Sequence, residues 1–152
     1  MLFVTISDKD LAKYSYMSGK LEEMLLNLRH ARKNLESFAN TCFDKVFAKC
    51  IYLFTSESLQ CENEIISQID SLDSSPHYDN IPEQKYPSVT KEKITNMNSV
   101  CDYCEEAYIE KYRQIIKDNH LCSSLKSLMQ IHLRLFLSSL TQLKQFNEAA
   151  VN

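Results

Sequence analysis

Residues that break helices are confined to two places in this sequence. The only glycine is Gly19, and the three prolines all lie between positions 76 and 87. Neither residue type occurs at positions 20–75 or 88–152, so two long stretches are free to be helical. Glycine-rich phosphate loops, dinucleotide-binding folds and meandering β-sheets need glycine at several turns, and the sequence argues against them. It predicts an all-α protein.

The size and charge of the chain favour one globular domain spanning positions 1–152. Hydrophobic residues make up 44% and charged residues 24% of the sequence, which is typical of globular proteins and argues against wholesale disorder. There are 17 basic and 20 acidic residues, a net charge of −3, with neither sign gathered into a long block. We therefore expect no nucleic acid partner.

The sequence carries the pattern of a cytoplasmic protein. Its amino-terminal apolar run has no basic segment before it and is followed at once by acidic residues, unlike a signal peptide. No run of about 20 apolar residues occurs, so we expect no membrane span. The six cysteines are then expected to be free thiols, because the cytoplasm is reducing.

Apolar residues in the first breaker-free stretch recur at steps of three and four, which places them on one face of a helix. The pattern changes phase at positions 40–44, where Asn40 and Asp44 suit a turn and a helix cap, and we predict a helical hairpin at about 20–72. Positions 2–18 extend the first helix or form a separate short helix. The predicted apolar face consists of Leu21, Met24, Leu25, Leu28, Leu35, Phe38, Cys42, Phe47, Cys50, Phe54, Cys61, Ile65, Ile69 and Leu72.

The second stretch repeats the pattern and predicts a second hairpin at about 91–148. It is interrupted at positions 117–120, where Asp118 or Asn119 is the expected cap of the last helix. The predicted apolar face consists of Ile94, Met97, Cys101, Cys104, Tyr108, Tyr112, Ile115, Leu121, Leu125, Leu128, His132, Leu135, Leu143 and Phe146.

Four amphipathic helices can bury their apolar faces together in an antiparallel four-helix bundle. The connection at about 73–90 contains the three prolines. A connection of about 20 residues can reach roughly 66 Å, enough to cross the length of a bundle. Its length therefore allows a long crossover between the hairpins as well as a simple up-and-down order.

Part of the second hairpin resembles a known family. Residues 97–112, followed by a helix that ends in the run 140–144, resemble the last two helices of a bacterial ferritin-like family called domain of unknown function 2383. The runs 25–28 and 35–39 are more loosely similar to its opening helices. The resemblance covers about 20–148 and implies a ferritin-like four-helix bundle with a long crossover.

The di-iron motif of the ferritin-like group is incomplete in this sequence. Active members carry one inward Glu on each of two helices and a Glu-x-x-His pair on each of the others. None of the four histidines here has Glu three residues before it. A partial set for iron or zinc remains at Glu36, Glu62, Glu105 and His132. The alternative is that these glutamates face water and that the ring of His132 is hydrogen-bonded at the helix seam.

Two further clusters have structural and chemical interpretations. Cys101 and Cys104 form a Cys-x-x-Cys pair that could act as redox thiols, but they lie on a helical apolar face, where cysteine packs as a small hydrophobe. Core packing is the favoured interpretation. A basic cluster on the first helix is interpreted as a solvated surface because it spreads over more than one face; it consists of Arg29, His30, Arg32 and Lys33.

No catalytic constellation is found, and no cofactor is expected. The preferred hypothesis is a non-enzymatic structural or protein-interaction module that forms a homodimer or another homo-oligomer. Its basis is that the second and fourth predicted helices carry apolar residues over more than one face. On the fourth helix, Phe136, Leu137 and Leu140 lie beside Leu135. The alternative is a ferritin-like protein that binds iron or zinc at the incomplete carboxylate and histidine set.

Overall fold

The computed structural model describes the backbone of residues 8–72 and 94–151, and the side chains of residues 12–72 and 94–148. These ranges contain no β-strand. The elements are α1 (Asp8–Thr41), α2 (Lys45–Leu72), α3 (Met97–Cys104), a π-helical segment (Glu105–Glu110), α4 (Lys111–Ile116) and α5 (Ser123–Val151). The predicted all-α class is confirmed, whereas the predicted crossover at about 73–90 lies outside the described residues.

The helix α1 begins at Asp8 and runs without a break to Thr41. Of the two alternatives for the amino-terminal region, the structure therefore has an extension of the first helix, as far as that region is described. Gly19 lies within α1, and apart from its chain neighbours and the nearby backbone of α1 itself, no heavy atom of the described residues lies within 4 Å of the position where a Cβ would be. This glycine breaks neither the helix nor its packing.

The first hairpin turns where the sequence predicts it. Asp44 caps α2, because its Oδ1 accepts hydrogen bonds from the backbone N–H groups of Val46 and Phe47, both at 3.0 Å. The hydroxyl of Tyr52 donates to the side-chain oxygen of Asn40, which ties the first turns of α2 to the end of α1.

The third long helix begins later than the predicted start near 91. Asn96 is its cap: its side chain accepts from the N–H of Ser99, whose hydroxyl oxygen accepts from the N–H of Asn96. This reciprocal pair fixes the first helical residue at Met97. The chain keeps helical dihedral angles through Glu105 and Lys111, so α3, the π-helical segment and α4 form one interrupted helix.

The predicted cap of the last helix is wrong. Asp118 accepts hydrogen bonds from the N–H of His120 at 2.9 Å and from the hydroxyl of Tyr16 at 2.6 Å. It therefore closes the turn and ties it to α1, while α5 begins only at Ser123. The carbonyl that receives the first hydrogen bond of α5 belongs to Cys122.

The core lies between the helices and has an aromatic centre. The ring of Tyr108 is 4.9 Å from that of Phe54 and 4.7 Å from that of Phe136, measured between centroids. Such tilted and edge-to-face pairs suit buried aromatic rings. Predicted apolar positions that are buried are Leu21, Met24, Leu25, Leu28, Leu35, Cys42, Phe47, Phe54, Cys61, Ile65, Ile69, Cys101, Cys104, Tyr108, Tyr112, Ile115, Leu121, Leu125, His132 and Leu143.

The predicted face of α5 is shifted by one residue over its middle turns. Phe136 and Leu140 are buried in the core, whereas Leu135 is 41% exposed. A step of one residue rotates a side chain by about 100° around a helix axis, which is enough to exchange the two environments. The residues on which the self-association hypothesis was based are therefore largely core residues. No helix of the described ranges has the length and apolar character that a bilayer crossing needs.

Candidate functional site

A buried polar network joins α1, α2 and the π-helical segment. The carboxylate of Glu62 is 1% exposed and accepts two hydrogen bonds from the guanidinium of Arg32, at 2.8 and 3.1 Å. The hydroxyl of Ser58 donates to the same carboxylate at 3.0 Å, and the hydroxyl of Tyr108 donates to Ser58 at 3.0 Å. We call these four residues the Arg32–Glu62 network. The hydrogen bond with Glu62 raises the pKa of the Arg32 guanidinium, which stays charged.

The π-helical segment places Tyr108 within this network. Its wider turn carries three consecutive buried residues, Ala107, Tyr108 and Ile109. Burial raises the pKa of the Tyr108 hydroxyl well above its usual value, so the hydroxyl is a neutral donor. π-helical turns are rare and frequently mark functional positions. Here the turn aims a hydroxyl from the second hairpin at a serine of the first.

The two candidate metal ligands of the first hairpin are bridged by arginine. Arg32 contacts Glu36 at 3.1 Å as well as Glu62, and Arg29 lies 3.9 Å from Glu62. The guanidinium thus supplies, between the two carboxylates, the positive charge that a metal ion would supply. Glu62 is buried and charge-paired, which corrects the interpretation that it faces water.

The other two candidate ligands lie in separate polar groups. Glu105 is 3.8 Å from Arg113 and 3.6 Å from Lys144. His132 instead contacts Glu64 and the hydroxyl of Tyr112. Within the side chains that the structure describes, no group of three or more His, Cys, Asp or Glu residues is arranged to hold a metal ion.

His132 is fully buried and hydrogen-bonded through both ring nitrogens. Nε2 lies 2.5 Å from a carboxylate oxygen of Glu64, and Nδ1 lies 3.0 Å from the hydroxyl of Tyr112. An ionised carboxylate can only accept, so Nε2 carries the proton and Nδ1 accepts from Tyr112. Burial lowers the pKa of His132 more than Glu64 raises it, so the ring is neutral at neutral pH. The expectation of a hydrogen-bonded ring at the seam is confirmed.

All six cysteines are free thiols, and their surroundings differ. Cys101 and Cys104 are both buried on α3, where burial raises the pKa of each thiol. Burial also raises the pKa of Cys61 to about 12. At Cys122, partial burial acts to raise the pKa, but hydrogen bonds from Ser124 and from backbone N–H groups outweigh it and lower the pKa.

A second feature lies on the surface, along α2 and α5. Val46 and Leu53 of α2 are 61% and 60% exposed, and Ile131 and Leu135 of α5 are 52% and 41% exposed. We call these four residues the α2/α5 face. The two helices are joined below it by the contacts of Glu57 with Ser139 and of Glu64 with His132. A cleft of about 270 Å³ opens between them, with Leu53, Phe54 and Leu143 among its lining residues.

Searches of family models, of curated proteins and of solved structures found no match to this chain. The Arg32–Glu62 network and the α2/α5 face are therefore the features from which a function can be proposed.

The sequence pattern does not reveal Arg32, Ser58 and Glu64 as partners of the buried polar groups. Arg32 was assigned to a solvated basic cluster, yet its side chain is only 17% exposed and lies against Glu62. A weak signal was present at Ser58, a small polar residue placed among the apolar positions of α2. The pairing of Arg32 with Glu62 depends on the register between two helices, and the sequence of either helix alone does not specify it.

Proposed function

We propose that this chain is a non-enzymatic structural or interaction module, of the ferritin-like bundle type, that self-associates as a homodimer. The observation that carries the proposal is the α2/α5 face, where four large aliphatic side chains on adjacent helices remain between 41% and 61% exposed. Single exposed apolar residues are ordinary on protein surfaces, but several along the same side of two packed helices indicate an interaction site. The α2/α5 face replaces Phe136 and Leu140 as the proposed contact surface, because these two residues are buried in the core.

Contacts across the first hairpin support the antiparallel arrangement that a ferritin-like bundle needs. Tyr52, early in α2, contacts Asn40, late in α1, whereas Glu62, later in α2, pairs with Arg32, earlier in α1. The two helices therefore run in opposite directions. A crossover between the hairpins, which would complete the ferritin-like order, belongs to this proposal.

The chemistry of the interior also favours a scaffold over a catalyst. The buried carboxylate of Glu62 is neutralised by Arg32, and the imidazole of His132 is held by Glu64 and Tyr112. A catalytic acid, base or ligand needs a free position that a substrate can reach. These groups instead use their hydrogen-bonding capacity to join helices.

The proposal is tested by measuring molar mass by sedimentation equilibrium from low to tens of micromolar protein. We expect the mass to rise towards that of a dimer. Leu53→Glu should raise the dimer dissociation constant at least about tenfold, because it places a charge within the apolar face.

Leu59→Glu is the matched control, since Leu59 lies on the same helix, is 46% exposed and is turned about 120° away from Leu53. It should leave the dissociation constant unchanged. A wild-type chain that remains monomeric at tens of micromolar would contradict the proposed function.

A further inference from the structure

The outward side of α2 carries a stripe with an unusual symmetry. Val46, Lys49, Leu53, Glu57 and Gln60 follow one another at steps of three and four residues, so they lie along one side of the helix. Glu57 is half-buried and the other four are exposed. Leu53 is at the centre, with a cation one turn before it and an anion one turn after it. We call these five residues the outer stripe of α2.

The following inference rests on the proposed self-association. We propose that two copies of this chain dock through their α2 helices, which run antiparallel to each other about a two-fold axis that passes through Leu53. Positions equidistant from such an axis exchange partners. Lys49 then faces Glu57 of the partner subunit, and Glu57 faces the partner's Lys49. Leu53 meets its own copy at the centre.

Charge complementarity selects this orientation over the parallel one. With α2 parallel to its copy and in register, Lys49 would face the partner's Lys49 and the glutamates would also face each other, and both contacts are repulsive. In the antiparallel orientation both contacts are attractive. The order of charges along the stripe therefore specifies the direction of the partner helix.

Lys49 and Glu57 can each form an ion pair with the partner subunit. Within residues 12–72 and 94–148, no acidic side chain forms an ion pair with Lys49. Glu57 accepts a hydrogen bond from Ser139 through Oε2, which positions the carboxylate, and no group of the described residues donates to its Oε1. A positioned carboxylate loses less side-chain entropy when it forms an ion pair than a freely rotating one does.

The same two-fold axis also brings together Val46 and Leu135 of the α2/α5 face. The two-fold rotation places Val46 opposite the partner's Gln60. Leu135 lies between the Glu57–Ser139 and Glu64–His132 contacts, beside that level. Val46 of one copy thus approaches Leu135 of the partner subunit, and both exposed aliphatic side chains are covered.

The size of the contact sets the expected affinity. Positions 46 to 60 span about 21 Å along the axis of α2, at 1.5 Å per residue. A contact of one helix pair with two flanking residues lies at the small end of stable interfaces. We expect a dissociation constant in the micromolar range.

The test uses charge reversal in separate chains, which are then mixed. Lys49→Glu gives a stripe with two anions, and Glu57→Lys gives a stripe with two cations. Each variant alone should dimerise about tenfold more weakly than wild type. An equimolar mixture should form heterodimers with near wild-type affinity, because both contacts then join opposite charges: one is the native pair of Lys49 with Glu57, and the other is the same pair with its charges exchanged.

A cross-linking measurement tests the axis without depending on these charges. In a background with Cys50→Ser and Cys122→Ser, mild oxidation should link Leu53→Cys chains into dimers, because only residues at the axis meet their own copies. Val46→Cys is the matched control and should not link to itself, since Val46 faces Gln60 of the partner subunit. Circular dichroism confirms that each variant is helical.

The outcomes separate this inference from the proposed function. Heterodimer rescue together with selective linking through position 53 supports the two-fold contact. A wild-type dimer that shows neither rescue nor this linking overturns the antiparallel α2 pairing and leaves self-association through another surface. A wild-type monomer at tens of micromolar overturns both.

Discussion

Removal of the Arg32 guanidinium is the sharpest test of how the interior is held together. Arg32→Met keeps much of the side-chain length but deletes both hydrogen bonds to Glu62 and the one to Glu36. Among the side chains that the structure describes, the carboxylate of Glu62, 1% exposed, would retain only Ser58 and the more distant Arg29 at 3.9 Å. Breaking a buried ion pair costs about 3–5 kcal/mol, because it strands a desolvated charge.

The structure places the expected cost near the lower end of that range. Arg29 lies close enough to compensate part of the charge, so we expect a loss of about 3 kcal/mol in the free energy of unfolding. For a chain of this size, that corresponds to a drop of roughly 6–12 °C in the melting temperature. Urea denaturation followed by circular dichroism measures the difference, and an unchanged slope would show that only stability is affected.

Two further variants test whether the buried charge of Glu62 causes this loss of stability. Glu36→Gln removes the half-exposed carboxylate that pairs with the same arginine. The change should cost less than about 1 kcal/mol, as the loss of exposed ion pairs does. The double variant Arg32→Met/Glu62→Met removes the stranded charge and should be more stable than Arg32→Met alone. If Arg32→Met costs no more than Glu36→Gln, or if the double variant is the least stable of the three, Glu62 is not the buried charge that we describe.

Three other predictions follow from the interior chemistry. Burial lowers the pKa of His132 in the folded state, so the unfolded chain takes up a proton at this residue at higher pH than the folded chain does. The free energy of unfolding should therefore fall as the pH drops below about 6.5. His132→Gln should weaken this pH dependence, as measured by urea denaturation at several pH values. In thiol labelling followed by mass mapping, Cys122 should react first, while Cys61 and Cys104 should react only on unfolding, and early labelling of Cys104 would contradict the buried α3 face. Elemental analysis of untagged protein from cells grown with added iron and zinc should give background metal, since arginine already bridges the carboxylates of the first hairpin; one or two equivalents would contradict this.

Local signals in the sequence predicted the helices well. The hairpin turn at Asp44 was predictable because the residue caps the helix that immediately follows it, an interaction within one turn. The absence of breakers predicted the length of α2. The start of α3 was placed too early because Asn96 and Ser99 form a capping pair in which serine replaces the more familiar glutamate.

Interactions that depend on helix register were not predictable. Phe136 and Leu135 are neighbours in sequence and both apolar, so periodicity alone did not decide which one enters the core. The aromatic contact of Phe136 with Tyr108 decides it, and that contact joins two helices. The pairing of Arg32 with Glu62 has the same origin, because a long side chain at the edge of an apolar face can point to water or to a neighbouring helix.

The hydrogen bond between Tyr108 and Ser58 has a consequence for the order of folding. It joins residues 50 positions apart, whereas the Arg32–Glu62 pair spans 30 and lies within one hairpin. Shorter loops close with a smaller entropy loss, so we expect each hairpin to form before the two dock. The chain contains no tryptophan, so tyrosine dominates its intrinsic fluorescence. The transfer of Tyr108 from water into the core then gives a spectroscopic signal for docking that is separate from the earlier gain of helix.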